Sequence, residues 1–292
     1  MGEQFFTNAL ISAAGFFLIG ISFSLIYIVS RFFHFAHGVV FTIGAYLTFL
    51  FSSFWNLPIS LSIILSIAIC AIIGCLMEIG VYSPLKRKNS SALILLIASL
   101  GLYIVLQNLI SMIFGDDIKT IRSGDVQEGL RIFDARITPI QILIILVSLF
   151  LVVALSLLLK KTILGRAMRA VANDPELAKI SGIDSDRVIL WAFAIGSGLA
   201  GLAGILVALD VDMTPTMGMH YLMMGIVAVI IGGVGSIPGV ALGALLLGFA
   251  QHFGVWKISS QRQDAIAFII LLIFLLFRPQ GFLGKRIKKA SV

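Results

Sequence analysis

"ITPIQILIILVSLFLVVALSLLLKKTILGRAMRAVANDPELAKISGIDSDRV", residues 137–188, holds both kinds of sequence from which the chain is built. Its first part, Ile137–Leu159, carries no charge. A bilayer core about 30 Å thick is crossed by about 20 apolar helical residues, so this run spans a membrane once. The remainder mixes both signs of charge with a helix start and a helix stop, as a segment facing water does. Working outward, five more charge-free runs appear: Gln4–Ser30, Phe32–Met77, Asn89–Gly115, Ile189–Leu209 and Met213–Trp256. The two longest have room for two spans each. The runs are continuous rather than alternating, which excludes a β-barrel. Of 292 residues, 59% are hydrophobic and 12% charged, against about 25% charged in soluble domains. The mean hydropathy is +1.08. The expected fold is all-α: a polytopic transmembrane helical bundle of about eight to nine spans, one domain over residues 1–292.

The net charge of +7 invites a nucleic-acid reading, but the placement of the cations argues against it. They cluster between spans, as Lys86-Arg87-Lys88, Lys160-Lys161, Lys285-Arg286 and Lys288-Lys289, the pattern of cytoplasmic loops. With loops 83–90 and 160–187 and the tail 278–292 inside, the loop 115–138 is outside. That loop carries Asp116, Asp117, Asp125, Glu128 and Asp134 with no basic excess. Segment 210–220 follows it outside, and the N-terminus is outside too. Nine crossings satisfy these constraints, and a re-entrant piece near 31–45 or at the Gly-rich 232–239 would change the count. The first run has no basic n-region and does not read as a cleaved signal. Cys70 and Cys75 share no helix face and read as buried hydrophobes. Gly196, Ala200 and Gly204, then Ser197 with Gly201, then Gly239 with Gly243, form the small-residue rows that let spans pack closely. The break "IGGVGSIPGV", 231–240, either lines a pathway or turns tightly between spans.

In the charged stretch, Asn173 or Asp174 can cap a helix, Pro175 suits its first position and Glu176 its positive end. Gly182 supplies a left-handed stop. The helix between, "PELAKIS", is too short to be stable alone, so its own spans or a partner must hold it. Leu177, Ile180 and Ile183 would give it an apolar face, and Arg166 and Arg169 stand ready for acidic groups.

These residues carry a resemblance. Gly165, Arg166, Arg169, Ala170, Ala172, Ala178, Gly182 and Ile183 match the loop G-R-x-x-R-A-x-A-x-x-x-x-x-A-x-x-x-G-I of permeases of the branched-chain amino acid importers, the LivH/LivM type of ABC transporter. "FAHG" at 35–38 and "IGAY" at 43–46, "SPLKRK" at 83–88, "IGGVGSIPGV" and "PQGFLG" at 279–284 resemble further motifs of that family, in order and nearly end to end. His34 stands where the family usually has Asn. The resemblance implies a pair of permeases, identical or homologous, above two ATP-binding subunits that hold ATP and Mg, with a periplasmic solute-binding protein outside. It implies a bacterial inner (plasma) membrane. It also makes the helix after Asp174 a coupling helix seated in the ATPase, and branched-chain amino acids the default solute, with urea, amides and other amino acids as alternatives.

No Walker motif is present, so ATP hydrolysis belongs to a partner; the chain is read as a transport subunit and not an enzyme, without a cofactor of its own. Polar groups within spans are costly and mark pathways. The candidates are His34 and His37, Gln107 and Asn108, the motif glycines Gly38 and Gly44, and Gly232, Gly233 and Gly235 of the break. His34 and His37 lack a third ligand close by, against a metal. Glu78 is expected to pair with Lys86 or Arg87. An autonomous channel or secondary carrier would share the broken helices but needs no docking helix. An intramembrane enzyme would need a nucleophile–base set that the spacing does not offer.

Overall fold

The computed structural model describes residues 2–122, 129–132, 135–255 and 263–284. Asp125, Glu128, Asp134, Arg262 and the basic cluster after Gly284 lie outside the described residues. The order is α1 (Gly2–Ser30), α2 (His37–Phe49, prolonged by a wider turn to Phe54), α3 (Ile59–Met77, prolonged likewise to Tyr82), α4 (Ser83–Arg87) and α5 (Ala92–Phe114). A small antiparallel hairpin follows, β1 (Leu130–Ile132) and β2 (Ala135–Ile137). Then come α6 (Pro139–Lys161), α7 (Ile163–Asn173), α8 (Pro175–Ile180), α9 (Ser185–Asp210), α10 (Met217–Gly232), α11 (Ile237–Val255) and α12 (Gln263–Phe277). Among the described residues, seven helices are long and apolar enough to cross a membrane, and α10 and α12 are shorter apolar helices. The all-α bundle expected from the runs is present.

The connections segregate to two ends. At one, Lys119 and Met213 exchange backbone hydrogen bonds of 3.0 and 2.9 Å, and the Gln4 amide pairs with the Arg136 backbone at 2.8 and 3.2 Å. At the other, Arg31 reaches the end of α7, and Phe282 and Leu283 bond the last turn of α10. The segments read as outside from their charge thus gather at one end, and those read as inside at the other.

The helices α1 and α9 form the core: most of their residues are buried, whereas α3, α5 and α6 bury only one narrow face each. Without a hydrophobic drive between spans, contact depends on close packing of small residues. Gly44 of α2 crosses Gly201 of α9 so closely that an added Cβ would stand 2.5 Å from the Gly201 oxygen. Gly20 of α1 crosses Gly225 of α10 in the same way, at 3.1 Å. Gly38 and Gly218, near the starts of α2 and α10, face each other at 2.9 Å by the same measure. Helix α1 packs on α10 and α11 as α9 packs on α2 and α3, and α2 meets α10 at the Gly38–Gly218 contact. The small-residue rows pack inside this chain: Gly196 on Ile26, Gly204 on Phe41, Gly243 on Ala228.

The two suspected breaks resolve differently. After Ser30 the chain leaves the helix through Arg31 (φ 57) and stays non-helical until His37. Phe32, His34 and Ala36 are buried there, so this irregular backbone at depth is shielded by protein. The second break is a tight turn between α10 and α11. Gly233 and Gly235 take φ of 99° and 87°, values that favour glycine.

Candidate functional site

Two groups of candidate residues are brought together, one at each side of the end carrying the 160–187 loop. The first is the charged arm. Thr162 caps α7, its Oγ1 accepting from Gly165 N at 2.9 Å. Gly165 is required where α7 folds back on α6, because a Cβ would meet the Leu158 and Leu159 backbone. One face of α7, Gly165, Met168 and Val171, is buried. The sequence leaves Arg169 and Arg166 able to meet acidic groups. Instead Arg169 donates to the Leu159 carbonyl, and Arg166 to that of Lys161 at 3.4 Å. The reason is that the last carbonyls of α6 have no partner inside their own helix. From the other side, Arg31 donates to the carbonyls of Ala172 and Asn173 at 2.7 and 2.8 Å. It closes the end of α7 against the end of α1.

Helix α8 then follows without slack. Asp174 is its cap, with Oδ1 accepting from Glu176 N at 2.9 Å and Leu177 N at 3.0 Å, and Pro175 opens the first turn. Its far end is a Schellman stop: Gly182, φ 83°, donates to Lys179 O at 3.0 Å and Ile183 to Ala178 O at 2.9 Å. Ala178 is buried in a hydrophobic cluster that also holds Met168, Val171 and Leu25, with Ala170 and Ile183 packed against it. The expected apolar face is therefore split. Ile183 turns inward with Ala178, whereas Leu177 and Ile180 remain 58% and 84% exposed. The helix is held from behind and presents two apolar side chains forward, with Glu176 and Lys179 exposed beside them.

The second group lies deeper. His34 and His37 are both fully buried, their ring centres 5.7 Å apart. His34 Nδ1 shares a hydrogen bond of 2.9 Å with the Tyr82 hydroxyl, and His37 Nε2 one of 2.8 Å with Ser22 Oγ. Lys86 pairs with Glu78 at 2.7 Å, as expected, and its ammonium lies 5.7 Å from the Phe32 and Phe193 rings. A line of polar groups thus runs from the 83–88 loop through Tyr82 and the two imidazoles to the Gly38–Gly218 crossing. Gly38 belongs to that crossing and Gly44 to the crossing with Gly201, and both meet backbone. Among the described residues, no group of three His, Cys, Asp or Glu comes together to hold a metal.

The remaining candidates stand apart. Gly232 lies under Gly239, Gly233 under Gln280 and Gly284, and Gly235 lines a cavity at the arm's end of the bundle. Asn108 sits on the outward side of α5, and Gln107, half-buried, sits beside it between the buried Tyr103 and Ile110. Their bonds run along their own helix: Gln107 to Ser111 at 3.3 Å, Asn108 to the Ile104 carbonyl at 2.8 Å. Sequence reasoning missed Arg31, Ser22 and Tyr82. Arg31 had a signal, as the one charge separating two long apolar runs. Ser22 and Tyr82 had none, since nothing in their neighbourhood marks them before the fold brings them to the imidazoles.

With this geometry in view, the comparisons with known proteins agree. A family model described as "Branched-chain amino acid transport system / permease component" matches residues 5–276. The chain is 32% identical to the high-affinity branched-chain amino acid transport system permease protein LivH of Escherichia coli strain K12, covering 98% of both. It is 33% identical to the corresponding permease protein BraD of Pseudomonas aeruginosa, over 97% of this chain and 95% of that one. A probable LivH of Methanocaldococcus jannaschii is 27% identical over 93% and 89%. No solved structure matches. A family match over almost the whole chain, together with a multi-span bundle and a capped, docked loop helix, means that this protein belongs to the branched-chain amino acid transport system permease components.

Proposed function

We propose that the chain is the membrane-spanning permease subunit of an ABC importer, carrying a branched-chain amino acid across the bacterial inner membrane. Its N-terminus lies outside and its C-terminus in the cytoplasm. Two ATP-binding subunits bind ATP and Mg beneath it, a second permease, identical or homologous, pairs with it, and a periplasmic binding protein delivers the solute. The observation that carries this reading is α8. Six residues cannot hold a helix in water, yet this one is capped at both ends, anchored by Ala178 and left with Leu177 and Ile180 in the open. Such a knob suits a partner whose grip changes between nucleotide states, because a partner shifts an equilibrium only by its differential affinity. The coupling loop comprises Gly165, Arg166, Arg169, Ala170, Ala172, Asp174, Pro175, Glu176, Ala178, Gly182 and Ile183.

The pathway runs along the outward side of α5, between the paired permeases. Asn108 is exposed at a depth where lipid offers no hydrogen bond, and Gly101, two turns away on the same side, leaves open space beside it. The amides of Gln107 and Asn108 handle the solute transiently, and selectivity rests with the binding protein. The broken helix around His34, His37, Gly38 and Gly44 and the turn at Gly232, Gly233 and Gly235 complete the set of residues that shape the path.

The test is uptake of labelled leucine, isoleucine and valine by proteoliposomes holding the permease pair, with and without the ATP-binding subunits, beside calorimetry of the binding protein against these solutes, urea and short amides. ATP-dependent leucine uptake that vanishes without the ATPase supports the reading. Undiminished uptake without it refutes the reading in favour of an autonomous carrier, and tight binding of urea or amides alone moves the solute class.

A further inference from the structure

At the arm's end of the bundle a cavity of about 470 Å³ opens between the last turns of α1 and α6, the inner side of α7 and the turn between α10 and α11. Glycine makes the space. Gly165 lets α7 fold back across the end of α6, and the left-handed Gly233 and Gly235 carry the chain around the rim instead of through it. The inner wall is apolar, from Leu25, Val29, Met168, Leu159, Ile237 and Leu283. The lining also carries two cations, Lys160 and Arg169, and neutral donors on Asn173 and Ser236, and it contains no carboxylate. Among the described residues neither cation meets an acid. Arg169 uses a single N–H on the Leu159 carbonyl, and a guanidinium has five. The capped first turn of α11 begins at Ser236 on the same lining and adds partial positive charge.

We infer that this cavity is a binding site for one anionic phospholipid of the leaflet that meets the basic loops, its phosphate held by Lys160 and Arg169 and its glycerol and chain ends on the apolar wall. A dissolved phosphate would use the cations and leave the apolar wall wet. A neutral lipid would use the wall and leave two cations uncompensated at the edge of the hydrocarbon. A molecule with a negative head and an apolar body satisfies both, and basic pockets between spans are where such headgroups lodge. The seated lipid ties α7, the arm that carries α8, to α1, α6 and the start of α11. Membrane composition then sets how firmly the arm is held. The inference rests on the membrane reading and the geometry, and is independent of which solute is carried.

The test is native mass spectrometry of the full-length permease in detergent, titrated with phosphatidylglycerol, with phosphatidylcholine of the same chains, and with inorganic phosphate. One phosphatidylglycerol per chain is expected to survive, with a preference over phosphatidylcholine of about 25-fold, the product of roughly five-fold per cation. Lys160→Gln with Arg169→Gln should lower the preference to near unity. Ser156→Phe keeps both charges but fills the cavity, and should abolish retention as well. If the charge variant does not fold, Lys160→Gln alone and Ser156→Phe decide the matter. Equal retention of both lipids overturns the proposal, as does full retention by Ser156→Phe, which would mean diffuse surface attraction. Retention of inorganic phosphate without lipid overturns it in favour of a free-anion site.

Discussion

Replacing Leu177 and Ile180 by serine tests the coupling arm most directly. Most of each side chain stands free of the permease fold, 58% and 84% exposed, while Ala178 and Ile183 anchor the helix. Full burial of a Leu or Ile side chain is worth about 2 kcal/mol. Scaled by the exposed fractions, docking of both into an ATPase groove contributes about 2.8 kcal/mol per arm, or roughly a hundred-fold in affinity. The double variant should therefore bind the ATP-binding subunit roughly a hundred-fold more weakly, with its thermal midpoint unchanged. Affinity is read by titrating labelled ATPase against the permease in nanodiscs, and folding by thermal unfolding of the same sample. The choice of residues matters: Ala178 is buried, so a bulky charge there would damage the arm itself and confuse docking with misfolding. If the double variant binds ATPase with unchanged affinity, α8 is not the docked element and the coupling argument is wrong.

Removing the cap by Asp174→Ala should cost α8 about 1 kcal/mol, seen as faster amide exchange at Glu176 and Leu177, whereas Asp174→Ser retains most protection. Gly204→Ala places a Cβ against the Phe41 carbonyl and should destabilise the bundle by about 1–3 kcal/mol. Gly101→Ala on open α5 should leave it unchanged, with labelling of the buried Cys70 by a thiol dye during heating as the readout in a Cys75→Ser background. Glu78→Ala leaves the Lys86 ammonium without its 2.7 Å partner and should cost about 3–5 kcal/mol. Adding Lys86→Met should restore most of that loss, measured as the recovered thermal midpoint.

Much of this protein was written in local pattern. The spans were legible because hydrocarbon forces every crossing segment to satisfy its backbone internally, which demands long charge-free helices. The ends of α8 were legible because capping is local chemistry: Asp174, Pro175 and Gly182 act within a few residues of themselves. Which residues face each other across the bundle was not, because it depends on pairs far apart in the chain. Only the packed structure splits Leu177 and Ile180 from Ile183, and turns Arg166 and Arg169 from acids to the carbonyls of α6. Only it seals His34 and His37 behind Tyr82 and Ser22. It alone pairs Gly38 with Gly218 and Gly44 with Gly201. A glycine in an apolar run announces that something comes close, but what comes close is decided by the crossing of helices about 160–180 residues apart, through packing that no local rule encodes.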